Sequence, residues 1–109
     1  MMKKCKITIL KTTYQKELAE EYGIKNLPIC PLMKEGQIFY ADYAKSEEFC
    51  DEAWEAIYQY VFALANGADG WYFDDWMDTK KHPGTAIVSC NDGLRPAIIK
   101  IERIENEEK

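Results

Sequence analysis

Three cysteines carry the clearest capacity for chemistry in this chain. Cys30 stands between Pro28 and Pro31, Cys50 heads a long segment with an apolar stripe, and Cys90 precedes Asn91-Asp92-Gly93. A thiolate is both a soft metal ligand and a nucleophile, so thiols that meet in space can hold an ion, hold an iron–sulfur cluster, or react. Their separations are twenty residues, from 30 to 50, and forty, from 50 to 90. These are not the close pairs of zinc ribbons and fingers. Spacing alone leaves structural cysteines as the plainest reading, with a metal or cluster site next and a reactive thiol last.

Charge separates the last two. A helix N-terminus at Cys50 would favour a thiolate, but Glu47, Glu48, Asp51 and Glu52 surround it and oppose negative charge. The same carboxylates attract a cation, whose charge would then stabilise the thiolate. Metal binding is therefore the more coherent chemistry for Cys50. Asp92 could supply a fourth, oxygen ligand; the plainer reading makes it a turn residue. Arg95 could bind an anion or simply pair with Asp92. Cys5 lies mid-strand on the buried face and reads as a small hydrophobe. His82, the only histidine, follows Lys81 in a loop and reads as exposed. No phosphate loop, nucleophile elbow, HExxH or dinucleotide motif is present, which weighs against the commonest enzyme classes.

The elements that must position these residues start with Ser46–Gly67. Cys50, Ala53, Trp54, Ile57, Val61, Leu64 and Ala65 recur at helical spacing, with Glu48, Glu52, Glu55, Gln59 and Asn66 opposite. Ser46 is the expected N-cap, and Gly67 is expected to end the helix with a positive φ. Tyr60 and Phe62 fall outside the stripe and need a second cover, assigned to the aromatic loop carrying Trp71, Tyr72, Phe73 and Trp76. Cys5, Ile7 and Ile9 alternate in a strand over Lys3–Leu10, followed by a short helix over Tyr14–Tyr22. Gln37–Asp42 is a second strand. Thr85–Cys90 and Leu94–Ile104 form a hairpin around Asn91-Asp92-Gly93, whose residues tolerate positive φ. Pro96, lacking an N–H, belongs at a sheet edge or just ahead of the ladder. The order predicts an α+β fold, with about four antiparallel or mixed strands packed on one long helix, plus a short N-terminal helix.

The totals bound the rest. The 109 residues fit a single domain with a polar, frayed tail over Glu105–Lys109. A net charge of −5 and a pI near 4.9 leave no basic stripe for nucleic acid. No apolar run reaches membrane-span length and no signal peptide is evident, so the expected compartment is the cytoplasm, where thiols stay reduced.

Three stretches stand out together: Cys30-Pro31 leading to Glu35-Gly36-Gln37-Ile38-Phe39, Phe49-Cys50-Asp51-Glu52-Ala53-Trp54, and Cys90-Asn91-Asp92-Gly93-Leu94-Arg95-Pro96. On these the chain resembles, over nearly its whole length, a family of small uncharacterised prokaryotic proteins of about a hundred residues. The resemblance implies a cysteine in each stretch, matching Cys30, Cys50 and Cys90. Family members often carry a further cysteine one or two positions before the last, where this chain has Val88 and Ser89. The resemblance implies no function, but it strengthens the case for convergence.

The leading expectation is a cytoplasmic metal-binding or redox-linked domain. Cys30, Cys50 and Cys90 would hold zinc or an iron–sulfur cluster, with Asp92 or water in the fourth place. The alternative is a non-catalytic interaction module, a homodimer through Trp71, Trp76 and the Tyr60/Phe62 shoulder. A small-ligand enzyme using Arg95 and Asp92, suggested by the length of the aromatic loop, is the third.

Overall fold

The computed structural model of the chain describes residues 2–70 and 72–105. Four strands, β1 (Cys5–Thr12), β2 (Ile38–Ala41), β3 (Thr85–Ser89) and β4 (Ala97–Arg103), form one sheet in the order β2-β1-β4-β3, every pairing antiparallel. Two α-helices accompany it, α1 (Lys16–Tyr22) and α2 (Asp51–Ala65), so the fold is α+β. Among the described residues no helix is long and apolar enough to cross a membrane.

The period-two pattern of the strands places one face of the sheet against α2. Cys5, Ile7 and Ile9 of β1 and Ala97, Ile99 and Ile101 of β4 are fully buried, with their alternate neighbours less so. Ala53, Ile57, Val61 and Leu64 of α2 meet them, and α2 touches β1, β3 and β4. Each large side chain in this layer contributes about 1.5–3 kcal/mol. Gly67 has a φ of 106°, a conformation that only glycine adopts readily, and takes the chain away from the helix. Of the residues in α1, only Ala19 is buried.

The helices depart from the expected pair. α2 begins at Asp51, with Cys50 rather than Ser46 as its N-cap residue. Lys45 explains the late start: its Nζ donates to the carbonyls of Ser46, Glu47 and Phe49 at 3.1, 3.3 and 3.0 Å. Those carbonyls hold a turn around the ammonium instead of starting a helix, so Glu47 and Glu48 precede the first turn. α1 begins at Lys16 because Thr13 and Gln15 donate their N–H groups to the carbonyls of Pro96 and Leu94, at 3.1 and 2.8 Å. A 3-10 turn, Tyr72–Asp75, adds helical structure where a loop was expected.

The β3–β4 connection is also wider than a tight hairpin. The strands end at Ser89 and resume at Ala97, with Pro96 just ahead of the ladder. None of Asn91, Asp92 and Gly93 has a positive φ. The Asp92 side chain shapes the loop instead: its Oδ1 accepts the N–H groups of Leu94 and Arg95 at 2.9 and 3.0 Å.

The aromatic loop covers part of the shoulder. Phe73 is 1% exposed and lies against Tyr60, ring centroids 5.8 Å apart, while Phe62 remains 53% exposed. Trp71 and residues 106–109 of the expected frayed tail lie outside the described residues.

Candidate functional site: a pocket lined by three thiols

Each cysteine of interest reaches the same place from a different element. Cys50 is fixed by Phe49, a buried ring that stacks edge-on against Phe39 at 4.9 Å and against Trp54 at 6.1 Å. Cys90 closes the β3–β4 ladder. Its N–H donates to the carbonyl of Ala97 at 3.2 Å, and its Sγ accepts the N–H of Ala97 at 3.3 Å. A backbone N–H directed at a sulfur is the type of donor that stabilises a thiolate ligand. Cys30 belongs to a connector without regular structure. Tyr14, whose hydroxyl donates to the carbonyl of Leu27 at 2.9 Å, and the buried Met33 anchor it on either side.

Cys30, Cys50 and Cys90 thus line one cavity of about 280 Å³, together with Met33, Glu52 and Arg95 among others. All three are free and half-buried. A larger and more open hollow of about 500 Å³ beside α1 gathers no thiols, and its walls are mostly one turn of helix and the residues after it.

Two of the pocket's side chains are bound to each other. Arg95 Nε donates to Asp92 Oδ2 at 2.9 Å, and Arg95 Nη1 donates to the carbonyl of Pro28 at 3.1 Å. Burial pushes the Asp92 carboxyl up. The hydrogen bonds from the Arg95 side chain and from the Leu94 and Arg95 amides outweigh it, so the group lies below the usual carboxylate value. Asp92 therefore reaches the site with both oxygens engaged. A weaker link, from Asn91 Nδ2 to the carbonyl of Glu52 at 3.4 Å, ties the same loop to the first turn of α2.

No known family model, curated protein or solved structure matches this chain. Its chemistry has to be read from the pocket itself.

The donor set suits a thiophilic metal. Among the described residues, however, no group of three or more His, Cys, Asp or Glu side chains is placed to hold a metal ion. Thiolates sharing one zinc lie within about 4 Å of each other, whereas a cluster of several irons spans more of the cavity. Cys30 has the least regular backbone of the three.

The other candidates are placed elsewhere. Cys5 is fully buried, and its Sγ donates to the carbonyl of Val61 at 3.6 Å, as its place in the strand pattern requires. His82 is exposed. Trp76 is 62% exposed and is not part of the pocket lining. Sequence reasoning named Glu52 only as one of four carboxylates around Cys50, on the polar face by helical phase; the structure places it in the pocket lining. At the first turn of a helix, that face can still border a pocket beyond the helix end.

Proposed function

We propose that this chain is a thiolate-based metal-binding domain. Cys30, Cys50 and Cys90 would hold a zinc ion or an iron–sulfur cluster in the pocket between the head of α2, the 90–96 loop and the proline-flanked connector. The observation that carries the reading is that three cysteines far apart in sequence line one small cavity. Nothing in the pocket requires catalysis, and binding or electron storage is the role assigned. A cytoplasmic setting, which keeps thiols reduced, suits such a site. The test is elemental and sulfide analysis of protein purified without oxygen, beside a Cys30→Ser/Cys50→Ser/Cys90→Ser variant. Metal in the parent and none in the variant is the expected result. A folded parent that stays metal-free after reconstitution with zinc or with iron and sulfide contradicts the reading.

A second reading rests on the outer face of α2. Tyr58 and Phe62 stand one turn apart there, each about half exposed (52% and 53%), and Trp76 is also exposed. Under this reading the chain is a homodimer through that surface. Light scattering on the parent and on Trp76→Ala and Phe62→Ala would show a dimer that these changes dissociate. A monomeric parent removes the idea.

A further inference from the structure

Of the three sulfurs in the pocket, Cys90 alone accepts a backbone amide among the described residues: the N–H of Ala97 is aimed at its Sγ at 3.3 Å. Cys50 stands at the N-cap of α2 without any side-chain cap bond. An N–H held on sulfur favours the thiolate, which is the form that attacks disulfides, and fixes where the sulfur points. Cys90 is free and half-buried in the wall of a cavity of about 280 Å³. That volume admits a small molecule and shuts out a folded partner. The charge around the cavity is negative. Asp92 neutralises Arg95 at 2.9 Å, and Glu52 lies in the pocket wall. A neighbouring hollow of about 390 Å³ shares Leu32, Cys50 and Glu52 with the thiol pocket and adds Glu47, Glu48 and Asp51. Lys45 is held by Asp51 at 3.1 Å, and no ion pair among the described residues engages Glu47, Glu48 or Glu52.

We infer that Cys90 is a thiol–disulfide exchange site whose substrate is a small, positively charged disulfide of the aminoalkyl type. This role goes beyond the metal reading: it uses the same pocket but needs one reachable sulfur rather than three converging ones. The Cys90 thiolate attacks one sulfur of the substrate, forming a new S–S bond as the old one breaks. The departing thiolate takes up the proton that Cys90 released. Cys90 is thereby oxidised to a mixed disulfide while the other half of the substrate is reduced to a free thiol, with no further oxidant. The carboxylates of the pocket wall and the adjoining hollow attract the ammonium group, an attraction that salt screens.

The test sets reduced protein, in chelator and without oxygen, against three disulfides of similar size: dicationic cystamine, neutral hydroxyethyl disulfide and dianionic dithiodipropionate. Mass spectrometry of quenched samples locates the adduct. Each rate is divided by that of the same chain unfolded in urea, which removes the reagent's intrinsic reactivity. Cys90 is expected to carry the first adduct. On this scale cystamine is expected to react about tenfold faster than dithiodipropionate at low salt, a gap that closes in about 1 M salt. Glu52 is exposed at the helix start, so Glu52→Gln leaves the core intact; it is expected to narrow the preference several-fold with Cys90 still labelled first. Cys90→Ser is expected to lose the fast exchange, with circular dichroism confirming its fold. A first adduct on Cys30 or Cys50, or rates indifferent to the charge of the reagent, overturns the inference. Chelator is present throughout, so the outcome is separate from metal content. A protein that binds metal but lacks this exchange loses the exchange site alone, and one that exchanges in this way but never takes up metal loses the metal reading alone.

Discussion

Arg95 Nη1 donates to the carbonyl of Pro28 at 3.1 Å, joining the loop after Cys90 to the connector that carries Cys30. The guanidinium is held at its other end by Asp92, so one side chain spans two of the three segments that bring a thiol to the pocket. Arg95→Ala removes that bridge and is expected to cost about 1–2 kcal/mol in urea unfolding. Its sharper effect falls on Cys30, whose alkylation should accelerate more than that of Cys50. Equal rates in parent and variant would show that the connector is held by other contacts.

Asp92 gives the clasp a pH dependence. Its carboxyl lies below the usual value because Arg95 and two amides favour the charged form more than burial disfavours it. A depressed carboxylate contributes stability that is present above its unfolded value, about 3.9, and is lost as pH falls through the folded one. The stability gap between parent and Asp92→Asn should therefore be open above about pH 5 and close in stronger acid. A gap that persists undiminished at low pH would mean that the carboxylate's charge is not what the clasp uses.

Cys5 predicts the opposite limb. Burial pushes its thiol up to about 11, with Arg103 opposing and Asp42 adding to the shift. A raised thiol contributes stability that is whole below its unfolded value, about 8.5, and is lost as pH rises through 11. Chemical denaturation across that range should show the parent losing stability faster than Cys5→Ser. Parallel curves would place the alkaline loss on other groups.

Arg103 holds the far end of α2. Its Nη1 donates to the carbonyls of Leu64 and Ala68 at 3.1 and 2.7 Å, and it also pairs with Asp69 and Glu105. The Arg103 side chain is only 8% exposed and lies against Gly84, where an added Cβ would come within 3.2 Å of the guanidinium. Arg103→Ala removes a donor from the Leu64 carbonyl in the last turn of α2 and from the Ala68 carbonyl just beyond it, breaks both ion pairs, and should cost about 2–4 kcal/mol. That lowers the melting temperature by about 10–20 °C in a domain of this size. A loss below half a kilocalorie, roughly the level of a surface substitution, would mean that water replaces the guanidinium fully.

The parts of this fold legible in the sequence are those where a side-chain period reports a single face. Cys5, Ile7 and Ile9 alternate, and Ala53, Ile57, Val61 and Leu64 recur at helical spacing; all seven are buried. What the sequence hid depends on contacts between distant segments. Nothing local marks Lys45 as the plug that delays α2, or pairs Gln15 with Leu94 to delay α1. The 91–93 turn carried the right residues for a hairpin, but an aspartate side chain rather than a positive φ closes it. At the site, the positions of Cys30, Cys50 and Cys90 at element ends hinted at a meeting. That Glu52 also lines the pocket was hidden, because amphipathic phase says nothing of what lies beyond a helix end.

The most direct measurement of the central claim is residue-resolved alkylation of the native protein, read by mass spectrometry, with zinc or a reconstituted iron–sulfur cluster and with chelator. Cys30, Cys50 and Cys90 are all expected to react in chelator and to be protected together when metal is present, while Cys5 reacts only on unfolding. Three thiols that react at rates indifferent to metal would contradict it.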